Sequence, residues 1–258
     1  MLSDIQRQRH IELEGTTNFR NLGGYRTKDG TKTTKWGVLY RCDHLTDISP
    51  ENAQHVLVDQ LHIHEAFDLR AHKEVVAKNY NFHDITRHCV GIEPTRIAEF
   101  VKRGEDMSNG KTVFRAMKAV YQQMVTDYGA IFGSIVKGII KSKVSSDNAA
   151  VFHCTAGKDR TGWAAYLILT LLDVRDEDKR ADYSMSNTCF RPPKDAHDST
   201  GGLGMGEEVK GAVGSVCDEF LDASIDEVNK LGGTRAYAKS HMGLTDDDIQ
   251  QLRDLLLE

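Results

Sequence analysis

Cys154 and Arg160 stand at the two ends of a short loop, with Thr155, Ala156, Gly157, Lys158 and Asp159 between them and His153 just ahead. Residues 149–152 have the apolar run of a short buried strand, and residues 163–169 predict a helix with an apolar face. A strand-loop-helix turn of this kind gathers loop N–H groups, unsatisfied helix N–H groups and the positive end of the helix dipole around one point. That is a ready site for a tetrahedral oxyanion such as a phosphoryl group. The same field favours thiolate over thiol, which makes Cys154 the candidate nucleophile. Arg160 can hold two oxygens of the anion in its planar fork, which a lysine cannot do. Gly157 lets the loop curl, and Thr161 can give its hydroxyl to the cysteine sulfur as the thiolate leaves. The expected catalytic set is therefore Cys154, Arg160 and Thr161, with residues 155–160 binding the anion.

His-Cys, five residues, then Arg-Thr-Gly resembles the signature loop of the cysteine-dependent tyrosine phosphatase superfamily. The Gly-Lys-Asp-Arg-Thr-Gly ending at 157–162 is similar to its bacterial branch of tyrosine and phosphoinositide phosphatases. Residues 17–25, Thr-Asn-Phe-Arg-Asn-Leu-Gly-Gly-Tyr, resemble the N-terminal element of that branch, with Asn21 where Asp is more usual. Residues 39–45 resemble its next strand and loop. Phe67-Asp68-Leu69-Arg70 followed by Lys73-Glu74-Val75 resembles its Asp-Leu-Arg loop, and residues 242–249 its closing turn and helix. The resemblance spans nearly the whole chain. It implies hydrolysis of phosphotyrosine, and also of phosphoserine, phosphothreonine or phosphoinositides, through a phosphocysteine, with no metal and no cofactor.

Expelling an alkoxide or phenoxide unaided is slow, so an acid must protonate the leaving oxygen. Asp68 is one candidate, because the resemblance implies that its loop faces the phosphate. Asp159, inside the loop beside Arg160, is the other, and the sequence leaves both open. Asp68 could instead pair with Arg70, and Asp159 could brace the loop by accepting backbone N–H bonds. Lys158 is either a second cation for multiply phosphorylated substrates or a solvated surface lysine. His153 reads as an orienting residue for the loop. The eleven histidines show no metal-ligand spacing, and His62 and His64 alternate on a strand-like stretch as surface residues.

The elements that must position these groups predict an α/β sheet flanked by helices in a single domain over 1–258. Residues 36–40 and 66–69 read as strands entering loops. Ser49 caps a helix that begins at Pro50 and runs through 52–60. Apolar residues at three- and four-residue steps over 112–141 predict a long amphipathic helix, or a pair kinked near Gly129 and Gly133. Residues 191–215 are Gly-rich, too much so at 191–206 for a regular element, and predict a flexible flap or connection.

Composition sets outer limits. At 258 residues and 40% apolar content the chain can bury a large core. A net charge of −5 gives no electrostatic footprint for nucleic acid. Five cysteines without framework spacing, and a polar start with no signal peptide, predict a cytoplasmic protein without an integral membrane segment. Two other classes also use a cysteine loop. A rhodanese-like sulfurtransferase or an arsenate reductase is one, but the latter needs a resolving cysteine, and the spacing of Cys42, Cys89, Cys189 and Cys217 identifies none. A non-catalytic phosphate-binding module is the other, yet it would be expected to have lost the cysteine, arginine or acid.

Overall fold

The computed structural model describes residues 2–191 and 207–258. In chain order they form α1 (Asp4–Arg9), β1 (Arg20–Asn21), β2 (Leu39–Cys42), α2 (Pro50–Asn52) running into a wider π-helical stretch (Ala53–Gln60), β3 (Ile63–Asp68), α3 (His72–Ala77) and β4 (Thr86–Cys89). After these come α4 (Arg96–Lys102), α5 (Gly110–Thr126), α6 (Gly129–Lys141), β5 (Ala149–His153), α7 (Asp159–Leu171), α8 (Asp176–Cys189), α9 (Glu207–Gly214), α10 (Asp218–Lys230), α11 (Thr234–Ser240) and α12 (Asp246–Leu256). The five strands make one sheet in the order β1-β2-β5-β3-β4, parallel except for β1. This is the expected α/β sheet flanked by helices.

β5 lies at the centre, and all five of its residues are buried. A strand covered on both faces needs apolar side chains on both, which explains its unbroken apolar run. Ala150 and Phe152 face a cluster built with α5, α6, α7 and α10–α12, while Ala149 and Val151 face a second with Leu57, Val58 and Tyr80. Register then fixes the site. His153 is level with Cys42 of β2 and with Asp68 of β3, so three parallel strands end together. The loops after them converge at one edge of the sheet, where open α/β sheets bind ligands.

The expected helix over 112–141 is a pair. α5 stops at Thr126, three residues ahead of Gly129, where α6 begins. Two of the strand boundaries differ from the reading: β2 begins at Leu39, not residue 36, and β3 extends back to Ile63. Of the expected flap, 192–206 lie outside the described residues. In the remainder, Glu207–Gly214 is helical. Among the described residues no helix is long and apolar enough to cross a membrane.

Candidate active site

Cys154 follows the last residue of β5 and is 2% exposed, at the floor of the loop. The loop turns at Gly157, whose φ is +65°, and a Cβ there would come within 2.5 Å of the Cys42 carbonyl oxygen. Both facts demand glycine. Donors from outside hold the loop's carbonyls. The His44 N–H donates to Thr155 O at 3.1 Å. Asn18 Nδ2 donates to Ala156 O at 3.0 Å and Gly157 O at 3.1 Å, and Arg41 Nη2 to Gly157 O at 2.7 Å. The N–H groups of Thr155, Ala156, Gly157 and Lys158, by contrast, donate to no other described residue. Buried or half-buried backbone donors without partners are rare, and here those of Ala156, Gly157 and Lys158 sit in succession after the exposed Thr155, beside a thiol and the start of α7.

The braces are themselves anchored. Arg41 Nη1 lies 2.5 Å from Asp182 Oδ2, and Arg20 Nε 2.9 Å from Asp182 Oδ1, all of them buried. Burial acts to raise the Asp182 carboxyl, but the two guanidiniums prevail and hold it at about 2. Arg20 Nη1 also donates to Asn18 Oδ1 at 2.5 Å, which fixes the amide that grips the loop. Asp43 accepts the N–H groups of Thr17 and Asn18 from the other side.

Arg160, in the first turn of α7, reaches back over the loop. Its Nη1 and Nη2 meet the two oxygens of Glu74 at 2.6 and 2.8 Å, and Nη1 also donates to Ile92 O at 3.1 Å. Glu74 takes the Thr155 hydroxyl as well, and the Ala71 N–H at 2.7 Å in the first turn of α3. Despite burial, which works against it, the Arg160 hydrogen bonds hold the Glu74 carboxyl at about 2. The Arg160 guanidinium is held charged by Glu74 and by the nearby Cys154, against the effect of burial. The fork is thus fixed before any substrate arrives.

The two candidate acids have opposite surroundings. Asp68 is fully buried, with Arg70 Nη2 at 2.8 Å and Arg87 Nη2 at 2.6 Å, and it also accepts the Arg70 N–H at 3.0 Å. Burial is outweighed there by His153 and Arg70, and the carboxyl is held at about 2. A carboxylate so clamped has no proton to give at neutral pH. Asp159 is half-buried at the head of α7. Its Oδ1 accepts the Tyr121 hydroxyl at 2.7 Å, and no described residue bonds Oδ2.

Residues 11–258 match the model of a tyrosine phosphatase family. The chain belongs to that family. It is similar to a Cupriavidus necator protein named "Putative tyrosine-protein phosphatase", at 25% identity over 97% of this chain and 89% of the relative. It is also similar to a tyrosine-protein phosphatase of Nostoc commune, at 34% identity over 42% of this chain and 38% of that one.

Three other residues at the loop have separate placements. Lys158 is not solvated: it is 3% exposed, and its ammonium donates to Val213 O of α9 at 2.6 Å. The reading of it as a solvated surface lysine is corrected, because the loop buries the side chain beneath α9. Thr161 Oγ1 is buried and has no partner among the described residues, so its expected bond to the Cys154 sulfur is not formed here. His153 is fully buried, with Tyr80 Oη 2.7 Å from Nε2 and Cys154 O 3.1 Å from Nδ1. Burial pushes it down to about 4, so it orients the loop as a neutral ring.

Sequence reasoning missed Glu74, Asn18, Arg41, Asp182, Tyr121 and Tyr183. Glu74, Asn18 and Arg41 sit inside segments that carry the family resemblance but were given no role. Glu74 alone had a local signal, as the third residue of a helix whose first N–H it caps. Asp182, Tyr121 and Tyr183 had none beyond helical position.

Proposed function

We propose that this chain is a metal-independent phosphomonoesterase that hydrolyses phosphotyrosine through a phosphocysteine. The observation that carries the reading is the set of partnerless loop N–H groups around Cys154, closed by the prefixed Arg160 fork. Those donors match the equatorial oxygens of a transferring phosphoryl group, whose charge preorganised donors stabilise without reorganising. The Cys154 thiolate attacks phosphorus, the S–P bond forms and the P–O bond to the leaving oxygen breaks. Asp159 gives its proton to that oxygen. Water then attacks phosphorus, Asp159 takes a proton from it, and the S–P bond breaks to return the thiolate with the Thr161 hydroxyl close by in sequence to receive it.

The burial of Cys154 at the loop floor supports an aryl phosphate, whose ring carries the phosphorus farther from the peptide than a serine or threonine side chain does. Lys158, tied to α9, gives no support to a second phosphate site. Five unpaired cysteines suit a reducing compartment, and we place the enzyme in the cytoplasm. Turnover of a phosphotyrosine peptide, a phosphoserine peptide and a phosphoinositide, each with a strong chelator present, tests the reading. Preference for phosphotyrosine, unaffected by the chelator, is expected; preference for the lipid or dependence on added metal would overturn it.

A further inference from the structure

We infer that Tyr121, backed by Tyr183, is the positioning residue for the acid: its hydroxyl occupies Oδ1 of Asp159 and so keeps the transferable proton on Oδ2, the oxygen left for the leaving group. The inference rests on the assignment of Asp159 as acid. A carboxyl can carry its proton on either oxygen, and an acid that carries it on the wrong one does not transfer it. Tyr121 has one hydroxyl proton and donates it to Asp159 Oδ1 at 2.7 Å. Tyr183 Oη lies 2.7 Å from Tyr121 Oη, and because the Tyr121 proton is already used, Tyr183 must be the donor. The chain therefore runs in one direction, from Tyr183 through Tyr121 to Asp159.

Neither ring can turn away. Tyr121 is fully buried in α5, stacked on Phe220 at 5.6 Å and edge-on to Tyr183 at 6.4 Å. Ser224 of α10 donates to the Tyr121 carbonyl at 2.8 Å. Tyr183 of α8 is 1% exposed and packs over Gly162, where a Cβ would meet its ring at 2.9 Å. Gly162 of the loop motif thus admits the outer tyrosine of the relay. Among the described residues, the groups that face Asp159 are Tyr121 from α5, Tyr183 from α8 and Arg160 beside it on α7, with Cys154 facing Arg160. The tyrosine hydroxyls are the neutral donors in that set.

The experiment compares Tyr121→Phe and Tyr183→Phe with Asp159→Asn, and with the double variant Tyr121→Phe/Asp159→Asn, on phosphotyrosine and on an aryl phosphate with an activated leaving group. Tyr121→Phe should lose about 10-fold or more in kcat on phosphotyrosine, within the range that a positioned acid supplies. It should lose far less on the activated ester and keep its KM on both. Tyr183→Phe should do the same more weakly, and adding Tyr121→Phe to Asp159→Asn should cost nothing further on phosphotyrosine. Equal losses on both substrates, or full additivity in the double variant, would overturn the relay. If Asp159→Asn shows leaving-group dependence and Tyr121→Phe does not, the relay alone falls. If Asp159→Asn shows none, the acid assignment falls and the relay with it.

Discussion

Arg160 and Glu74 form a two-point pair, Nη1 to Oε2 at 2.6 Å and Nη2 to Oε1 at 2.8 Å, between the first turns of α7 and α3. This pair aims the guanidinium at the loop, and it joins the loop to α3 through the Thr155 hydroxyl. Glu74→Gln keeps the size but loses the charge and one acceptor. We expect kcat/KM to fall on the order of 10-fold or more, since misplacing a reacting group by about 1 Å costs on the order of 10²-fold. Steady-state kinetics on a phosphotyrosine peptide check it, and an unchanged rate would show that Arg160 needs no such support.

Arg160→Lys removes the fork itself. A lysine offers one point charge where two parallel donors are needed, so a loss of roughly 10²-fold or more in kcat is expected. Near-normal turnover would show that Arg160 does not grip the phosphoryl group.

The site's centre was legible in the sequence because its parts are local. Cys154, Gly157 and Arg160 lie within one turn, and a strand and a helix of opposite periodicity flank them. The supports were not legible for a physical reason: each joins residues far apart in the chain. Glu74 meets Arg160 across 86 positions, and Arg41 meets Asp182 across 141. Tyr121 appeared only as one apolar beat of a helix, because periodicity reports the buried face and not which hydroxyl on it finds a carboxylate. Asp68 drew attention through its place in a resembling motif, yet Arg70 and Arg87 give it the surroundings of a fixed anion.

Asp182 underpins that unseen layer. Asp182→Asn leaves Arg20 and Arg41 buried beside a neutral amide, and breaking a buried pair on one side costs about 3 to 5 kcal/mol. Urea unfolding should show a loss of that order, with the loop's activity falling alongside. A change within about 0.5 kcal/mol, the range of ordinary surface substitutions, would contradict the bracing role.

His153 sets a pH dependence of stability. Burial lowers it from 6.5 to about 4. Between those values the unfolded chain binds a proton that the folded chain excludes, so stability rises with pH. The contribution is complete above pH 6.5 and lost as pH falls toward 4, on the order of 3 kcal/mol in all. Asp68, Glu74 and Asp182, each held at about 2, lose their contributions only as pH falls below the usual carboxylate range toward 2. His153→Gln should therefore flatten the stability curve between pH 6.5 and 4, and a slope equal to that of the parent chain would contradict the assignment.

Cys154→Ser should abolish turnover while leaving phosphate binding largely intact, because the loop amides and Arg160 form the cradle and the sulfur does not. Calorimetric titration with inorganic phosphate reads the binding. Loss of binding together with turnover would move the sulfur from nucleophile to structural element.

The central claim is the covalent bond between sulfur and phosphorus. Acid quenching during turnover of a phosphotyrosine peptide, followed by mass spectrometry of the digested enzyme, looks for it directly. The account predicts one phosphoryl group on the peptide that contains Cys154, and none in Cys154→Ser. Steady turnover with Cys154 unmodified at every time point, or a phosphoryl group on another residue, would contradict it.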